Sequence, residues 1–171
     1  VRDLVAAGRL DELSGLPAAS LLRALLPLTN RPEAELRLPA IPALGEAAAR
    51  QVAEDPEPVR EIFRRPIWSL NDESGSIGWG AAQAMAEIMV KDEALAKEFS
   101  PLLVGLLAED PGSPDFPPLV EGALWAVGRL AETCPTWPRT PTATCPAFCS
   151  LIIRSIEPWP PGSWAWPDWS S

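Results

Sequence analysis

Three stretches of this chain repeat one apolar pattern at nearly constant spacing, which confines it to architectures made by stacking copies of a unit. Leu36, Ala40, Ala43, Leu44 and Ala47 are matched by Ile77, Ala81, Ala84, Met85 and Ile88, and again by Leu119, Ala123, Ala126, Val127 and Leu130. Each set runs i, i+4, i+7, i+8, i+11, which gathers apolar side chains on one face of a helix. The steps from Leu36 to Ile77 and from Ile77 to Leu119 are both about 40 residues, within the range of helical repeat units. Small residues recur in register too: Ala40, Ala81 and Ala123 align, as do Gly45, Ala86 and Gly128. Positions kept that small are expected where one helix backbone approaches another.

A second set lies between these helices. Val59, Phe63, Ile67 and Leu70 are followed, at a constant offset of 36, by Leu95, Phe99, Leu103 and Leu106. Each set supplies one member of a helix pair. Asp55 before Pro56 and Glu57 reads as an N-cap with proline at the first helical position, and Asp110-Pro111-Gly112 as a stop. Pro66 and Pro101 fall inside the second set and are expected to bend those helices or break their hydrogen-bond ladders. Leu21, Leu22, Leu25 and Leu26 predict an earlier partner helix ending before Asn30. Val1, in place of Met, opens within a helical pattern carried by Leu4, Val5, Leu10 and Leu13, so the chain is expected to start inside a longer protein. No window alternates apolar and polar residues, and β-branched residues are few, so the fold expected is all-α.

Two-helix units of about 40 residues cannot bury their apolar faces alone and stack into a solenoid. Arg31 to Gly45 (RPEAELRLPAIPALG) and Pro118 to Leu130 (PLVEGALWAVGRL) resemble HEAT-like repeats, including those named after phycobilisome lyases. Trp68 to Ile88 (WSLNDESGSIGWGAAQAMAEI) is similar to a stretch of uncharacterised bacterial HEAT-repeat proteins. The resemblance covers residues 17 to 133 and implies an armadillo-type α–α superhelix of antiparallel helix pairs. It carries little about function, because a repeat fold hosts many.

The helical repeats are expected to occupy residues 1–133, and a different segment follows. Residues 134–171 hold all three cysteines, five of the eight tryptophans and eight of the 21 prolines. That composition fits neither a helix nor a solvated linker. A Trp-rich binding tail and a cysteine-based site are two accounts of it; a shifted reading frame is the one we expect. Trp is TGG and Cys usually TGC in a GC-rich gene. Where the preceding codon ends in C, reading one base earlier turns either into CTG, which is Leu.

Chemistry-bearing residues are sparse. The chain contains no histidine, which removes the usual general base and the Ser-His and Cys-His nucleophile pairs. It also removes the His-Glu pairs of diiron HEAT-repeat hydroxylases. Cys134, Cys145 and Cys149 are too many by one for paired disulfides and too few for a structural zinc site, so no metal is expected. A net charge of −9 opposes a phosphate-backbone partner, and no apolar run approaches the ~20 residues of a bilayer crossing. No nucleic acid, membrane or cofactor is expected, and a cytoplasmic location is the simplest. Arg60, Arg64 and Arg65 read as a solvated helix face.

Two groups of residues are candidate sites. Asn71, Asp72 and Glu73 begin a polar loop through Ser76 that either caps the helix starting near Ile77 or contacts a cation or partner. Its spacing is not that of a calcium loop. Gly78-Trp79-Gly80 lacks the Lys and hydroxyl of a phosphate loop and is expected to allow close helix packing. Trp79, Gln83 and Glu87 run i, i+4, i+8, and Glu121, Trp125 and Arg129 stand at the equivalent places one repeat further on. In a solenoid such a stripe lines the concave surface and offers aromatic anchors in a polar surround. The alternative is that both tryptophans pack between repeats and Glu87 meets Arg129 as a surface ion pair of roughly 0–1 kcal/mol. The function expected is non-catalytic interaction with a protein or peptide. The alternative is a bilin lyase-like enzyme or subunit, with Arg129 gripping a propionate.

Overall fold

The computed structural model describes residues 1–70, 80–105 and 117–133. These are almost wholly helical, with no strand among the described residues. Helix α1 (Arg2–Ala6) is followed by a 3-10 turn (Leu10–Gly15), then α2 (Ala18–Thr29), α3 (Ala34–Glu54), α4 (Glu57–Leu70), α5 (Ala81–Lys91), α6 (Glu93–Gly105) and α7 (Pro117–Thr133). The expected all-α class therefore holds for the described part. The expectations for residues 71–79, for Leu106 and Asp110-Pro111-Gly112, and for the segment from Cys134 fall outside it.

The repeated apolar positions are the ones that form the core. Ala40, Leu44, Ala47, Ala81, Ala84, Met85, Ile88, Ala123, Ala126, Val127 and Leu130 are all at most 3% exposed. Ala43 is partly buried and packs against the same cluster. Helices α3, α5 and α7, which carry these positions, pack in a row: α3 lies on α2 and α5, and α5 lies on α7. Helix α4 touches α3 and α5, while α6 touches α5 and α7. Leu21, Leu22 and Leu25 of α2 are buried, as their spacing predicts.

The second set forms its own contact. Phe63 of α4 and Phe99 of α6, equivalent positions in that set, stack with ring centroids at 4.3 Å and planes 4° apart. Val59, Leu95 and Leu103 are buried beside them. Burying a Phe side chain contributes about 2–3 kcal/mol, and an aromatic pair adds about 1 kcal/mol.

Local chemistry sets the helix ends. The Asp55 carboxylate accepts the Glu57 N–H at 3.1 Å, and that of Asp92 accepts the Leu95 N–H at 2.8 Å. Both satisfy donors that the first turn of a helix leaves free. The first was legible in Asp55-Pro56-Glu57; the second was not singled out. Near the start, the helical pattern breaks because Gly8 adopts a φ of +68°, leaving α1 short and Leu13 on the 3-10 turn. Both Val5 and Leu13 are nevertheless buried.

Prolines lie inside helices α3 and α6. Helix α6 runs through Pro101, and α3 runs through Pro39 and Pro42. Each proline removes one ladder bond, yet Ala40, Ile41 and Leu44 are fully buried around the two in α3. Tertiary packing outweighs the local cost there.

Candidate binding face on the inner helices

Close approach between the inner helices fixes the site. A Cβ on Gly45 of α3 would lie 2.9 Å from the Glu87 carbonyl oxygen of α5. One on Gly80, just before α5, would lie 2.3 Å from the Thr29 carbonyl oxygen. One on Gly122 of α7 would meet the Gln83 amide of α5 at 2.8 Å. At Gly45 and Gly80 a side chain would collide with neighbouring backbone, whereas at Gly122 it would press on the end of the Gln83 side chain, which can move aside. Gly80 packs closely, as its sequence context predicts. Gly122 was missed, although it follows Gly80 by one step of the repeat.

This packing joins the two halves of the expected stripe. Arg129 Nε donates to Glu87 Oε1 at 2.8 Å, linking α7 to α5 across 42 residues of sequence. The Glu87 side chain is only 8% exposed and that of Arg129 28%. The pair was expected at the surface, but the helices approach closely enough to bury its acidic member. Removing Arg129 would leave Glu87 buried without its partner cation, which costs more than losing an exposed pair. Glu87 is thus a buried support of the face rather than a contact residue.

The other stripe residues differ in exposure. Glu121 is exposed and Gln83 partly buried. Gln83 Oε1 has no hydrogen-bond partner among the described residues. Trp125 is partly buried and packs against the core cluster, as the structural alternative requires. Trp79 and the loop residues Asn71, Asp72 and Glu73 lie outside the described residues.

The same register extends to α3, where Pro42 and Glu46 are the counterparts of Gln83 and Glu87. Glu46 pairs with Lys91 of α5, but its side chain is 67% exposed and the link is weak. Pro42 and Ala43 line a half-open cavity of about 330 Å³ with Leu10, Leu13, Leu21 and Ala47. At the neighbouring turn, Arg37 donates to the carbonyls of Arg31 and Pro32, both at 2.9 Å. Its burial pulls the guanidinium pKa below the ordinary value.

Helices α4 and α6 carry exposed ion pairs. Arg60 reaches Glu98 of α6 at 3.0 Å, and Arg64 reaches Glu57 and Glu61. The hydrogen bond to Glu98 is the main cause that raises the Arg60 pKa. Among the described residues no group of three metal-ligating side chains comes together, and no helix is long and apolar enough to cross a membrane. Comparison with protein families, curated proteins and solved structures finds no match to this chain.

Proposed function

We propose that this chain is a HEAT-like solenoid of antiparallel helix pairs that binds a protein or peptide on its inner row and catalyses nothing. The observation that carries the proposal is the register of α3, α5 and α7. Equivalent residues of successive repeats lie on adjacent helices, and Glu87 meets Arg129 one repeat away. A row of that kind offers one continuous face, concave in a solenoid. Exposed Glu121 and partly exposed Gln83, Trp125 and Arg129 form its contact patch, with Glu87 beneath them. An aromatic anchor in a polar surround is the composition of an interface hot spot.

A photo-crosslinking amino acid placed at Glu121 tests this in cells, with Arg64 on the outer layer as the control position. A discrete adduct from position 121 alone is expected. Equal labelling from both positions, or none from either, contradicts the reading. The bilin-handling alternative requires Arg129 for a propionate, and that residue's Nε is engaged by Glu87. Mixing the chain with a bilin separates the two, since a protein-bound pigment band supports only the alternative.

A further inference from the structure

We infer that the face of α7 bearing Leu124 and Ala131 docks a fourth inner helix, encoded across codons 165–169 of the same gene in the neighbouring reading frame. The inference rests on the solenoid reading above and starts from unequal burial at equivalent positions. On α3, the positions turned to the next inner helix include Ile41 and Ala48, both fully buried. Ile41 Cδ1 lies 3.1 Å from where a Gly80 Cβ would sit, and Gly45 between them meets the Glu87 backbone. Their counterparts on α5, Ala82 and Met89, are at most 2% exposed. On α7 the counterparts are Leu124 and Ala131, and both are only partly buried, although Gly128 between them is buried. The described neighbours of α7 are α5 and α6.

The sequence supplies the occupant. Each inner helix carries a five-residue signature of small, large, small, charged, large. It reads Ala43-Leu44-Gly45-Glu46 with the smaller Ala47 at the last place, then Ala84-Met85-Ala86-Glu87-Ile88, then Ala126-Val127-Gly128-Arg129-Leu130. Trp164 and Trp166 are followed by Ala165 and Pro167. The single Trp codon ends in G, and Ala and Pro codons begin GC and CC. Read one base earlier, positions 165 and 167 therefore become Gly and Ala whatever codons the gene uses. Trp169 becomes Leu with either Asp168 codon, and Trp166 becomes Leu where the codon of Ala165 ends in C or T. The result is Gly-Leu-Ala-x-Leu, about 40 residues, one more repeat step, after Ala126-Val127-Gly128-Arg129-Leu130. Small residues fall where close approach needs them, and leucines where the core does.

The test compares the 171-residue chain with one in which a single base is inserted at the codon of Cys134, each alone and with Leu124→Ala or Gly45→Val. Thermal unfolding followed by circular dichroism is the readout. The frame-shifted chain should melt at least ~5 °C higher. Leu124→Ala should lower its midpoint by several degrees, while lowering that of the original chain by ~1 °C or less. A frame-shifted chain no more stable than the original, or equal losses from Leu124→Ala in both, overturns the inference. Gly45→Val reports on the α3–α5 contact and should destabilise both chains. Failure of that control would instead undo the solenoid reading.

Discussion

The row of α3, α5 and α7 and the contact between α4 and α6 hold together in opposite ways. Along the row of α3, α5 and α7, close approach rests on what is missing: Gly45 and Gly80 leave no room for a Cβ against neighbouring backbone. Helices α4 and α6 meet through a large stacked pair, Phe63 and Phe99. Backbone contact fixes distance and register closely, because a helix cannot deform to accept bulk. Side-chain stacking tolerates more adjustment. The candidate binding face lies on the row held by close backbone approach, and a pre-set surface loses less on association.

Substitutions of opposite size should separate the two. Phe63→Ala, which opens a cavity, should cost about 3–5 kcal/mol in urea unfolding, with Phe99→Ala non-additive to it. A loss below about 1 kcal/mol would show that the outer stack carries little. Gly45→Val should cost about 1–3 kcal/mol, since the new Cβ meets backbone rather than a movable side-chain end. Neutrality there would contradict the close approach of α3 to α5, and with it the solenoid reading. Asp92→Ala removes the cap on the Leu95 N–H and should cost about 1 kcal/mol, with Asp92→Asn retaining most of it. Arg64→Ala, at an exposed cluster with Glu57 and Glu61, should change stability by less than about 0.5 kcal/mol.

Much of this was legible from spacing. The step shared by the three copies picked out the buried positions of α3, α5 and α7, and the constant offset of the second set aligned Phe63 with Phe99, although it did not call their stacking. Periodicity reports which side of a helix is apolar, so it finds cores well. It does not report how near two helices come. That is why Glu87 was expected at the surface although its side chain is 8% exposed. Gly122 escaped notice for a related reason. A glycine has no place in an apolar pattern, and only its alignment with Gly80 marks it.

The central claim is that residues one repeat apart are neighbours across the inner row. A double-mutant cycle on Glu87→Ala and Arg129→Ala tests it most directly, through urea unfolding of the four chains. The account predicts a favourable coupling of about 1 kcal/mol or more between side chains 42 residues apart. Strict additivity, with the double variant losing the sum of the single losses, would contradict the register on which both the fold and the proposed binding face depend.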